Sequence, residues 1–90
     1  MNPHKSYIEH VRNLPCCVGG EGHVDPHHLK AIGMGRNRVN LMWEHFTVIP
    51  LSRSKHTEIE QIGVAAFEEK YQIDVYKFAL HTLAKWIHEN

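Results

Sequence analysis

Cys16 and Cys17 stand side by side, and the chain has no other cysteine. A vicinal disulfide is strained and ties no distant segments together. The pair therefore excludes a secreted disulfide scaffold, and two thiols cannot build a structural zinc site of four cysteines. A chain of 90 residues must then rest on its apolar side chains, and a domain of this size buries only about 60–65% of its unfolded surface. One domain spanning 1–90 is expected. An apolar fraction of 42% with 22% charged residues belongs to a folded domain rather than a disordered one.

The apolar pattern predicts an α+β fold. Tyr7, Ile8, Val11 and Leu14 recur at helical spacing over 5–14, with Ser6 and Glu9 as a capping box and Pro15 as the stop. Gly19, Gly20, Gly22 and Pro26 make 16–26 a turn-rich crossing. A short strand is expected at 27–31, then a long exposed loop at 32–45 with a helical turn near Leu41–Trp43. The β-branched and aromatic run at 45–51 reads as a second strand ending at Pro50. A helix over 55–70 would carry Ile59, Ile62, Ala66 and Phe67 on one face. A last helix over 74–89, capped by Asp74, carries a stripe of Val75, Phe78, Ala79, Leu83, Trp86 and Ile87, flanked by Tyr76 and Leu80. The stripe is expected to cover the sheet and the first helix; a homodimer contact centred on Trp86 is the alternative. No apolar run approaches the ~20 residues of a membrane span, and the N-terminus opens no signal-type stretch. The expectation is a soluble cytoplasmic protein with no membrane partner.

Ten basic and ten acidic residues give no formal net charge, which excludes a polycation that coats nucleic acid along its whole length. The charge is uneven, however: residues 1–26 carry −1, 27–56 carry +4 and 57–90 carry −3. The basic middle also holds four of the nine histidines, His27, His28, His45 and His56. A basic strip around histidines suits an anionic substrate. His4, His10, His81 and His88 are expected at the surface.

Two segments carry chemistry. In Asp25-Pro26-His27-His28-Leu29, adjacent histidines near a strand end can divide labour, one on a metal and one as a base. In His56-Thr57-Glu58-Ile59-Glu60, His56 and Glu60 stand four apart on the predicted helix, close enough to share one divalent ion. Asp25 is an alternative carboxylate to Glu60. Two strands and a helix would bring His27, His28, His56 and Glu60 into one pocket.

The run from His27 through Leu29-Lys30-Ala31-Ile32-Gly33-Met34-Gly35-Arg36-Asn37-Arg38, followed by His45 to Gly63, resembles the phage and prophage HNH nucleases of the ββα-metal superfamily. The likeness spans about 14–71, leaving the helix at 74–89 as an addition. It implies a small ββα-metal fold with a short antiparallel hairpin, an N-terminal helix and an added C-terminal helix. It also implies a DNA endonuclease in a bacterial cell, encoded by phage or prophage. On that resemblance His27, His56 and Glu60 hold one divalent ion (Mg, Mn, Zn or Ni), and His28 is the general base. Lys30, Arg36, Arg38, Arg53 and Lys55 would bind DNA phosphates. Family members commonly carry Cys-x-x-Cys where this chain has Cys16-Cys17-Val18-Gly19. Ser52 and Lys55 stand where Cys and His are common, and Glu60 where His is frequent. The central Asn of the HNH name has no clear counterpart. His45 lies nearest that position, as a catalytic residue that fixes the loop or touches phosphate, and Asn40 is a weaker candidate. Alternatives are an inactive DNA-binding or interaction module of the same fold, and a metal hydrolase of a small phosphoester.

Overall fold

The structure is a computed structural model that describes residues 3–20, 22–29 and 45–89. Its elements are α1 (Pro3–Arg12), β1 (Val24–His28), β2 (Val48–Ser52), α2 (Arg53–Ile62), α3 (Val64–Tyr71) and α4 (Val75–Glu89). The coarse α+β class is as expected. Among the described residues, no helix is long and apolar enough to cross a membrane.

β1 and β2 form a two-stranded antiparallel sheet in which Pro26 faces Pro50. The Pro50 carbonyl accepts the N–H of Cys17 at 2.9 Å, and the Thr47 carbonyl accepts that of Leu29 at 3.0 Å. A Pro50 carbonyl bonded to Cys17 points away from β1, so the two prolines occupy a position where neither strand needs a donor. This explains why β1 starts at Val24, three residues before the predicted strand, and why β2 runs through Pro50 rather than ending there. Residues 45–46 form a short 3₁₀ turn ahead of β2.

α1 starts at Pro3, two residues before the predicted helix. Proline's fixed φ suits a first helical turn, so Ser6 lies inside the helix instead of capping it. The side-chain amide of Asn13 donates to the Glu9 carbonyl at 2.9 Å and closes its far end. The single helix predicted over 55–70 is two. Gly63 adopts φ 87° and ψ 164°, ending α2 and starting α3; that positive φ suits a residue without Cβ. α4 begins as predicted, with Asp74 Oδ1 accepting the Lys77 N–H at 3.0 Å.

Alternation along the strands divides the core. Leu29, Ile49 and Leu51 pack with Ile59, Phe67, Val75 and Ala79. Val48 packs instead with Tyr7 and Val11 of α1, against Phe46, Leu83 and Trp86. α4 contributes to both clusters. Each fully buried Ile or Leu contributes about 1.5–3 kcal/mol. Of the predicted helical faces, Ile59, Phe67, Val75 and Ala79 are buried, whereas Ile62, Ala66 and Ile87 are exposed. Between α2 and α3, Glu58 accepts hydrogen bonds from Lys70 and Tyr71, which hold its carboxyl below the usual range and raise the Lys70 ammonium. Burial, reinforced by Cys16, pushes the Cys17 thiol up to about 12.

Candidate metal centre and histidine pair

α2 follows β2 without a loop, since Ser52 ends the strand and is also the N-cap of the helix. His56 therefore emerges in the first turn of α2, beside the middle of β1. His27 is paired with Ile49 and shares that face of the sheet. It is only 6% exposed, and its ring meets that of His56 edge-on at 4.7 Å and 78°. One turn further along α2, Glu60 Oε2 lies 3.9 Å from Nε2 of His56. One ligand atom from each of His27, His56 and Glu60 falls within 4.8 Å of the others.

These donors suit a divalent ion. Bonds of about 2.0–2.1 Å at a tetrahedral centre place ligand atoms about 3.4 Å apart, so the widest gap would close by at most about 1.4 Å. The exposed side chain of Glu60, 3.9 Å from His56, can supply its part of that adjustment. Three protein ligands also leave coordination positions for water and substrate, as a catalytic rather than structural site requires.

Asp25 lies two residues before His27 on the same strand. Its Oδ2 is 3.7 Å from Nδ1 of His56 and 3.7 Å from Nε of Arg53. It thus addresses the ring nitrogen of His56 that faces away from Glu60.

His28 is separated from this group by strand alternation. Its Nε2 lies 2.9 Å from Nδ1 of His45, with the rings 5.0 Å apart and inclined at 63°. The sequence places both histidines at the site but does not reveal that they share a hydrogen bond. The signal, a histidine in the turn before the partner strand, becomes legible only with the register.

Of the predicted phosphate contacts, Lys30, Arg36 and Arg38 lie outside the described residues, as do Asn40 and the Leu41–Trp43 turn. Arg53 has 82% of its side chain exposed beside Asp25. Lys55 lies over the Tyr71 ring, 5.6 Å from its centre. His81 and His88 are exposed as expected, while His10 is half-buried against the Tyr7 and Trp86 rings.

Residues 2–87 match a family described as a protein of unknown function (DUF968). No curated protein and no solved structure matches.

Proposed function

The chain belongs to the DUF968 family, whose function is unknown, and from its site we propose a metal-dependent endonuclease that hydrolyses DNA phosphodiester bonds. The observation that carries this reading is the convergence of His27, His56 and Glu60; His28, the chain neighbour of His27, is held separately by its hydrogen bond with His45. The order β1, β2, α2, with ligands from the first strand and the helix, is the order a ββα-metal fold needs.

His27, His56 and Glu60 would hold one divalent ion. When bound, such an ion would supply Lewis-acid charge for phosphodiester hydrolysis. Two imidazoles and one carboxylate suit Zn²⁺, Ni²⁺ or Mn²⁺ better than Mg²⁺, which prefers oxygen. His28 takes a proton from water as the water oxygen attacks phosphorus. The P–O3′ bond breaks, and the departing oxygen is protonated from solvent, leaving a 5′-phosphate and a 3′-hydroxyl. Arg53 and Lys55, with Lys30, Arg36 and Arg38, hold neighbouring phosphates, so binding depends on salt and little on sequence.

Plasmid digestion with Mg²⁺, Mn²⁺, Ni²⁺ and Zn²⁺, with a chelator control, tests the reading. Metal-dependent nicking is expected, and His28→Ala should lower the rate about 10²–10⁴-fold while metal still binds. Retained DNA affinity without nicking under any ion would make the protein a binding module. Hydrolysis of a small phosphoester with no salt-dependent DNA affinity would make it a different hydrolase.

A further inference from the structure

α2 carries two chemistries on adjacent sides, because consecutive helical residues diverge by about 100°. His56 and Glu60 address the metal centre. Lys55 and Glu58, three apart and so neighbours on the helix surface, turn instead to α3. There Glu58 accepts hydrogen bonds from Lys70 and Tyr71, so the carboxylate of this cluster is already engaged. Lys55 is half-buried, and its ammonium stands over the Tyr71 ring, 5.6 Å from the centre. Lys70 lies 5.3 Å from the centre of the same ring, but its charge is matched by Glu58. Among the described residues Lys55 makes no ion pair. A ring face attracts the cation yet accepts no strong hydrogen bond, so the three N–H donors of Lys55 remain available to an anion. Arg53 is placed differently: its Nε lies 3.7 Å from Oδ2 of Asp25, and an incoming phosphate competes with that carboxylate.

We propose that Tyr71 is a positioning residue for DNA: its ring holds Lys55, one residue from His56, unneutralised and ready to take a backbone phosphate next to the scissile one. The ring is itself fixed from two sides. It packs against the fully buried Phe67, with ring centres 4.7 Å apart at 50°, and its hydroxyl is bonded to Glu58. A lysine free on its four-carbon stem loses rotamer freedom when it meets a phosphate, whereas Lys55 has given up part of that freedom in folding. Lys55 is thus a stronger phosphate contact than Arg53, which is more exposed and opposed by an acid. The phosphate as ligand rests on the nuclease reading; the placement of Lys55 over Tyr71 does not.

Two measurements on the full chain test this. In a ¹³C-resolved NMR spectrum without DNA, the Cε protons of Lys55 should lie upfield of those of the exposed Lys5 and Lys77, shielded by the ring. Tyr71→Phe should keep that shift and Tyr71→Leu should abolish it. Binding to a short mixed-sequence DNA duplex is then followed by fluorescence anisotropy against salt, without divalent ions so that nothing is cut. Lys55→Ala should lower the slope of log affinity against log salt by about 0.9, and Arg53→Ala by less than half as much. Tyr71→Leu should weaken binding about 2–10-fold at nearly unchanged slope, since the charge remains, and Tyr71→Phe should bind as the wild type does. An unshifted Lys55, a slope indifferent to Lys55→Ala, or equal affinity in Tyr71→Leu and wild type overturns the proposal. If Tyr71→Leu fails to fold, the wild-type shift and the Lys55→Ala slope still decide. A wild type that shows these effects yet nicks no plasmid with any ion overturns the nuclease reading alone, and one that binds no duplex overturns both.

Discussion

Nδ1 of His56 lies 3.7 Å from Oδ2 of Asp25, on the side of the ring opposite the nitrogen that faces Glu60. Asp25 therefore stands behind a candidate ligand, where a small closure would let its carboxylate orient the imidazole. Asp25→Asn is expected to weaken binding of Zn²⁺ or Mn²⁺ about 10–100-fold by calorimetry. His56→Ala and Glu60→Ala, which each remove a donor, should weaken it further. Equal losses in Asp25→Asn and Glu60→Ala would make Asp25 a ligand in its own right.

The elements of this centre were legible in the sequence to different degrees. His56 and Glu60 stand at helical spacing, and a helix did form there, so their meeting followed from the pattern. His27 joined them because strand alternation turned it toward α2. The same alternation kept His28 out of that group, against the expectation of one shared pocket. Pro26 looks like a strand breaker until its partner is known to be Pro50. Gly63 lies within an apolar period that continues from Ile59 to Phe67, both buried, so spacing alone could not show that the backbone breaks there. Periodicity records which side chains face the core; it does not record backbone φ or the partner across a turn.

Tyr7 is fully buried, and its hydroxyl has no hydrogen-bond partner among the described residues. Burial pushes its pKa up to about 12. A buried hydroxyl without a partner costs about 1–3 kcal/mol in lost hydration. Tyr7→Phe keeps the ring contacts and removes that cost, so the urea midpoint should stay level or rise. A clear fall in the midpoint would show that the hydroxyl has a partner.

Glu58 is held below its ordinary value of 4.5, first by its hydrogen bond from Lys70 and then by that from Tyr71. A carboxyl with a depressed folded-state pKa adds stability above its unfolded value and loses it as pH falls through the folded one. The raised Lys70 works in the opposite sense, adding stability below 10.5 and losing it as pH rises through its folded value. The stability gap between wild type and Glu58→Gln should therefore be widest at neutral pH. It should narrow as pH drops from about 4.5, and high salt should reduce it because the groups lie at the surface. A gap unchanged between about pH 7 and pH 3 would show that these bonds do not tie α2 to α3.

Trp86 meets the Tyr7 ring edge-on at 5.0 Å and 61° and lies 6.4 Å from Phe46. It joins α4 to α1 and to the turn before β2. Trp86→Ala should cost on the order of 3 kcal/mol, the lower end for an aromatic ring, because the residue is only half-buried. The mass in solution by light scattering should not change. The large apolar side chains that α4 leaves exposed are Leu80 at 64% and Ile87 at 61%, on a different side of the helix. Replacing both by Gln should shift the unfolding free energy by less than about 0.5 kcal/mol each, as surface substitutions do. It is this pair, not Trp86, whose replacement should dissolve any dimer that α4 forms. A wild-type dimer that survives the double substitution and falls to a folded monomer on Trp86→Ala would move the indole from the core to an interface.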